Sequence, residues 1–184
     1  GALMSVPVEW IPKEPTLEVY QKLFAMPNFA TSIANSFYLA IASTFARLIC
    51  ASMAAFALTK IAFKGREATF KIYLTALMIP AQITFIPLFI VMTRLHLTNS
   101  LNAFLLLQMF NAFAIFMLRQ KMMTINNAYV EAAVIDGAGL WTIFGKIILP
   151  LCSGTLATLA VLSFMDLWND YLLPLVLLTE KSKY

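Results

Sequence analysis

Charge is scarce in this sequence. Lys and Arg number 13 and Asp and Glu 9 among 184 residues, 12% of the chain, whereas a soluble domain carries about 25%. That shortage excludes an ordinary water-soluble globule. The formal net charge of +4 does not point to nucleic acid either, because the basic residues stand scattered between apolar runs and form no single face or tail. Histidine is reduced to His96; with no HExxH or similar pair, a metallohydrolase has no ligand set. The two cysteines, Cys50 and Cys152, lie far apart in apolar stretches without a CxxC, so neither a disulfide framework nor a metal site is implied, and both are expected to be small packing residues. The opening "GALMSVPVEWIPKEP" has no basic stretch leading into an apolar core, so no signal peptide is read there. The start at Gly1 and the end at "TEKSKY" are expected to be cut edges.

What remains is apolar: 61% of residues are hydrophobic and the mean hydropathy is +0.81, the composition of an integral membrane protein. A membrane-crossing helix needs about 20 mostly apolar residues, and four windows provide them, at about 37–58, 70–95, 101–122 and 151–178. The expected fold is all-α, a polytopic helical membrane domain over 33–184. Before it, residues 1–32 form a polar segment interrupted by Pro7, Pro12, Pro15 and Pro27. There Thr16 is expected to cap a short surface helix with Leu17, Tyr20 and Phe24 on one face. Lys60, Lys64, Arg66, Lys71, Arg119, Lys121 and Lys146 fall in connections of one side, against Lys13, Lys22, Arg94, Lys181 and Lys183 on the other. The excess of positive charge places the first set, and the 126–150 loop with it, in the cytoplasm.

Within the first window Ala42, Ala46, Cys50 and Ala54 recur every four residues, a small-residue stripe that lets another helix approach closely. Arg47 sits mid-helix, where insertion costs about 2.5–3.5 kcal/mol; it must face protein or water, and Asp166 lies at a similar depth as a candidate partner. In "IPAQITFIP" Pro80 and Pro87 deprive earlier carbonyls of their donors, so the second helix is expected to bend or unwind. Gln82 and Thr84 there either line a pathway or serve helix packing. Asn111 in the third window, and Asp166, Asn169 and Asp170 in "FMDLWNDYLLPL", are the other pathway or substrate candidates, with interhelical hydrogen bonding or solvation as the alternative role.

The stretch "EAAVIDGAGLWTIFGKIILP", Glu131 to Pro150, departs from this pattern. A helix-permissive run meets Gly137, which can take the left-handed conformation that ends a helix. From Leu140, the residues Leu140, Ile143, Phe144, Ile147 and Ile148 then mark one apolar face, predicting an amphipathic helix beside the membrane. The pair forms a compact knob. Ala132 and Ala133 would let a partner come close, and Glu131 and Asp136 would offer carboxylates to its basic groups or cap nearby donors.

The order Glu131, Ala132, Ala133, three residues, Gly137, nine residues, Ile147, Leu149 and Pro150 resembles the EAA motif of binding-protein-dependent ABC importer permeases. Asp136, Ala138, "FMLRQ", "WNDYLLPL", "NSFYLAIASTFARL", "AAFALTKIAFKG" and "WIPKEPTLEVYQKLF" extend the likeness over the whole chain, to the carbohydrate-type, MalG-like branch with a MetI-like (MalFG-type) transmembrane domain. The resemblance implies a non-catalytic inner-membrane subunit of an ATP-driven importer of sugars or related polar solutes, in a bacterial or archaeal cytoplasmic membrane. It implies that Glu131, Ala132, Ala133, Asp136, Gly137 and Ala138 contact a cytoplasmic ATPase dimer, which binds the ATP and Mg, so that this chain itself holds no cofactor. It also implies a second, related permease subunit and an extracytoplasmic solute-binding protein. Members often have Pro shortly before the glutamate, whereas Asn126 follows Ile125 here; they also have a further helix on each side of the present stretch, and the chain looks truncated at both ends.

The leading rivals are a channel or membrane scaffold without ATP coupling, which a broken second helix and a small-residue stripe would serve equally, and an intramembrane enzyme. The enzyme has little support, since Asp166 and Asp170 have no evident nucleophile or metal beside them.

Overall fold

The computed structural model describes residues 17–178. Thr16 and the proline-rich stretch before it, and the tail with Lys181 and Lys183, lie outside the described residues. A short helix α1 (Glu18–Phe24) leaves Leu17, Tyr20 and Phe24 exposed. It leads into α2 (Phe29–Lys60), 32 residues without Gly or Pro and so about 48 Å long at 1.5 Å per residue, more than the ~30 Å hydrocarbon core demands. Pro27 and a left-handed Asn28 set its start, where the Ser32 hydroxyl donates to the Asn28 carbonyl at 2.9 Å. Extended Ile61 ends it, and left-handed Gly65 (φ +88°) turns the chain into α3 (Arg66–Ala76).

The window at 70–95 is two helices. After α3, residues Leu77 to Ile79 make tight bonds to the carbonyls three residues back. Ile79 precedes Pro80, which disfavours helical backbone there, and Pro80, itself extended, has no N–H to close on Ala76. The helix restarts as α4 (Ala81–Arg94), which carries Pro87 inside it. Two further windows are also divided. Leu101 to Met122 contains α5 (Leu101–Gln108) and α6 (Ala112–Met123). The last contains α10 (Ser153–Trp168) and α11 (Leu172–Leu177). Between them come α7 (Ala128–Ile135), then α8 (Leu140–Thr142), a π-helical stretch (Ile143–Ile148) and α9 (Leu149–Leu151). Taken together, Leu140–Leu151 meets α10 at 77°. Pro150, which cannot donate to Lys146, sits just after the widened π turn.

By length and apolarity α2 and the Leu101–Met123 run can each cross a membrane, and the bent pair Leu140–Leu151 with Ser153–Trp168 can make a third span. Large apolar side chains such as Phe45 and Val161 on these helices, and Ile83 and Ile86 on the shorter α4, are exposed, a surface suited to lipid or to a neighbouring protein and not to water.

Helix α2 is the mast against which α5, α6 and α10 pack. Two apolar clusters form along it. One joins Leu39 and Ala40 with Met92, Ala103, Phe104, Leu167, Leu173 and Leu177; the other joins Ala51, Ala55 and Phe56 with Ile115, Leu118, Met122, Ala133, Ile143, Ile148 and Leu159. Between them, on the three longest runs, lies a polar step: Ser43, Thr44 and Arg47 on α2, Gln108 and Asn111 at the α5–α6 break, Ser163 and Asp166 on α10. The small-residue stripe is displaced from the tightest contact. Ala42, Ala46, Cys50 and Ala54 are half-buried, while Ala40, Ser43, Ala51 and Ala55 are fully buried, because α2 turns the adjoining face toward α6 and α10.

Candidate functional site

The knob is built from short-range rules. Helix α7 ends where Gly137 takes φ +79°. Its N–H donates to Val134 O at 3.0 Å, and that of Ala138 reaches Ala133 O at 2.9 Å, the paired bonds that close a helix on a left-handed glycine. The chain then reverses into α8. Glu131, Ala132, Asp136 and Gly137 are exposed, Ala138 is half-buried, and Ala133 is buried. Val134, Ile135, Leu140 and Trp141 also project, Ile135 being 86% exposed. Ala132 and Asp136, with Tyr129, Asn126 and Ile147, line an open groove along α7.

The opposite side of the knob is rooted in the protein. Ile143, Phe144 and Ile148 are buried with Ala55, Phe56 and Met122, and the Phe56 and Phe144 rings are 5.2 Å apart. The apolar face expected to lie beside the membrane therefore packs largely on the bundle's own core; Leu140 is its exposed exception. Arg119, 6% exposed, braces the same end. Its Nη2 donates to Glu67 Oε1 at 2.7 Å, its Nε donates to Leu58 O at 3.4 Å, and its guanidinium carbon lies 3.8 Å from the Phe70 ring centre. Charge-assisted bonds and a cation–π contact thus fix α6 to the α2–α3 connection.

The second candidate region is the polar step. Arg47 is 3% exposed, and three of its N–H groups are used. Nε donates to Gln108 O at 3.0 Å, Nη2 to Gln108 Oε1 at 2.9 Å, and Nη1 to Asp166 Oδ2 at 2.9 Å. Gln108 is the last residue of α5, so the carbonyl freed by the break is the one Arg47 takes. Gln108 Nε2 in turn donates to Asp170 Oδ2 at 3.1 Å, and Asp170 Oδ1 accepts from Leu173 N at 3.2 Å, starting α11. One guanidinium therefore ties α2 to both broken helices. Asn111 Oδ1 accepts from Ala114 N at 2.9 Å, capping α6. It also lines a cavity with Arg47, Phe113, Ser163 and Asp166.

Of the other sequence candidates, Asn169 Nδ2 donates to Met165 O at 2.7 Å within its own helix. Gln82 and Thr84 are exposed near the start of α4 and do not line the Arg47 cavity. Arg119, Glu67 and Lys60 have no site role in the sequence reading; Gln108 stands there with Asn102 and Asn111 as a polar group of the third window, for which interhelical hydrogen bonding is the commoner role.

These features define an all-helical protein, among its described residues, with two or three runs long and apolar enough to cross a membrane and a protruding helical pair at one end. The chain belongs to the family described as binding-protein-dependent transport system inner membrane component, whose model matches residues 47–181. It is similar to the arabinooligosaccharides transport system permease protein AraQ of Halalkalibacterium halodurans, 34% identical over 94% of this chain and 62% of that protein. The sn-glycerol-3-phosphate transport system permease protein UgpE of Yersinia pestis is 34% identical over 84% of this chain and 55% of its own length. Among solved structures, a bacterial ABC transporter involved in the import of the acidic polysaccharide alginate matches with a TM-score of 0.86 at 29% identity, over 94% of this chain and 61% of that one. The chain thus spans 55% to 62% of the length of these relatives.

Proposed function

We propose that this chain is the core of a permease subunit in an ATP-driven importer, lining part of a translocation path for a sugar or related polar solute in the cytoplasmic membrane of a bacterium or archaeon. The 126–150 loop faces the cytoplasm and docks on an ATPase dimer that holds ATP and Mg. A second permease subunit completes the path, and an extracytoplasmic binding protein delivers the solute. Chemistry on ATP belongs to the ATPase, and this chain is not catalytic.

The observation that carries the reading is the two-sided knob. Glu131, Asp136, Val134 and Ile135 project from it, while Ala133, Ile143 and Ile148 are rooted in the core. A protrusion that is free outside and anchored inside suits a part that is gripped and moved. Pathway roles fall to Asn111 and Asp166 beside the Arg47 cavity, with Asp170 behind them; Gln82, Thr84 and Asn169 are weaker choices, because none lines it.

The test is copurification of the ATPase with the full-length permease, together with solute-stimulated ATP hydrolysis in the complete assembly. Glu131→Lys, or Gly137→Leu at its positive φ, is expected to abolish both while the permease still reaches the membrane. Retention of both activities by both variants refutes the reading.

A further inference from the structure

The entry to α7 has no proline to stiffen it. Asn126 and Asn127 stand there, in a connection only four residues long between Met123 and Ala128. Asn126 Oδ1 accepts from Ala128 N at 3.0 Å, a local turn that holds the entry's shape but ties it to nothing else. Asn127 precedes α7, and its carbonyl accepts from Val130 N and Glu131 N, both at 2.9 Å, but its side chain makes no capping bond to the helix. Its side chain is occupied elsewhere: Lys60 Nζ lies 2.7 Å from Asn127 Oδ1 and 2.7 Å from Ile125 O. Lys60 is the final residue of α2. The ammonium is therefore a bridge between the end of the long mast and both sides of the hinge into the knob.

We infer that Lys60 is a positioning residue that transmits displacement of the knob directly to α2, by holding Ile125 and Asn127 on one ammonium. This rests on the coupling role proposed above and names the route that role takes. Without the clamp, motion of α7 reaches the mast by packing and through the Thr124–Asn127 connection, which rotation about a few bonds can absorb. With it, two charge-assisted bonds make the end of α2 follow the start of α7. The two acceptors differ in kind. Ile125 O belongs to the main chain and Asn127 Oδ1 to a side chain, so the second bond can be removed with little change to the fold. Neighbouring groups do not duplicate it: Arg119 grips Leu58 O and Glu67 from α6, and Arg66 Nη1 donates to Thr59 O within the α2–α3 turn. Neither reaches α7.

The experiment uses the full-length permease with its partner subunits in lipid nanodiscs and two readouts: the amount of ATPase bound, and the change in hydrogen exchange over residues 37–60 on adding ATP with orthovanadate. Lys60→Met is expected to keep the ATPase bound at wild-type yield while reducing the ATP-dependent change in α2 by about threefold or more, the scale of losing bonds to a charged donor when packing contacts remain. Lys60→Arg restores the response. Asn127→Ala gives a partial loss, and Lys60→Met with Asn127→Ala is no worse than Lys60→Met alone, since both remove one shared bond. A wild-type response in Lys60→Met overturns the clamp. So does loss of ATPase binding or of the permease itself in that variant together with a wild-type response in Asn127→Ala, because Lys60 would then serve folding alone. If the wild-type assembly binds its ATPase but α2 does not respond to ATP, the coupling reading fails and takes the clamp with it.

Discussion

Arg47 Nη1 and Asp166 Oδ2 lie 2.9 Å apart across 119 positions of sequence, with the arginine 3% and the aspartate 65% exposed. The asymmetry matters for what each contributes. Asp166 opens onto a cavity and retains Oδ1 for other partners, whereas Arg47 is enclosed and also satisfies both oxygens of Gln108. Arg47→Met should therefore strand three acceptors and lower the stability of the full-length permease by about 3 kcal/mol. Asp166→Asn keeps an acceptor oxygen and should cost about 1 kcal/mol. Arg47→Lys should fall between them, since a single ammonium cannot reproduce the fork that spans Gln108 and Asp166. Thermal unfolding in one detergent and at one lipid content orders the three; equal losses for Arg47→Met and Asp166→Asn would contradict the asymmetry.

Asn111 interrupts an apolar run that otherwise reads as one helix. Its carboxamide caps α6 by accepting from Ala114 N at 2.9 Å. Replacing it by Ala removes the cap and should cost about 1 kcal/mol, with Asp or Ser recovering most of it. If Asn111 also meets solute in the adjoining cavity, Asn111→Asp will restore stability without restoring uptake. Stability and transport measured on the same preparations separate the two roles.

Which parts of this architecture sequence exposes follows from how local their causes are. Gly137 ending α7 and Pro80 dividing α3 from α4 are written in single residues whose backbone limits act within one turn. Arg47 with Asp166 was accessible from depth alone, because a charge in a membrane helix must find a partner and few are available. The α5–α6 break was not, since no Pro or Gly marks it and the cap is an ordinary Asn inside an apolar window. The bridges from Lys60 to Asn127 and from Arg119 to Glu67 span 67 and 52 positions, and each residue alone looks like an interfacial anchor charge. The small-residue stripe and the buried face beside it look alike in sequence, because the four-residue repeat of Ala42, Ala46, Cys50 and Ala54 is shared by Ala51 and Ala55 and only packing decides which face this chain's own helices cover.

That displaced stripe gives a clean contrast. Ala55 is 0% exposed against the apolar cluster around Leu118 and Ile148, so Ala55→Leu should overpack it and cost about 1–3 kcal/mol. Ala46 is half-buried, and Ala46→Leu should change the stability of the isolated permease by less than about 1 kcal/mol. A selective loss of partner-subunit copurification in Ala46→Leu would assign the stripe to contact with that subunit. Destabilisation equal to that of Ala55→Leu would instead place it inside this chain's own packing.

Sidedness is the condition on which the knob's role depends. Ile135 is 86% exposed at the tip of α7, and His96, with φ +55°, lies in the turn between α4 and α5, which is expected on the other side of the membrane if the excess of Lys and Arg marks the cytoplasmic side. In intact cells a membrane-impermeant maleimide should label His96→Cys and spare Ile135→Cys, and in inverted vesicles the pattern should reverse. Bound ATPase should then protect Ile135→Cys in the vesicles, because a docked partner covers the tip of α7, and should leave His96→Cys in intact cells unaffected. Labelling of Ile135→Cys from outside intact cells would put the knob where no cytoplasmic ATPase can reach it, and the coupling function would have to be abandoned even though the fold stands.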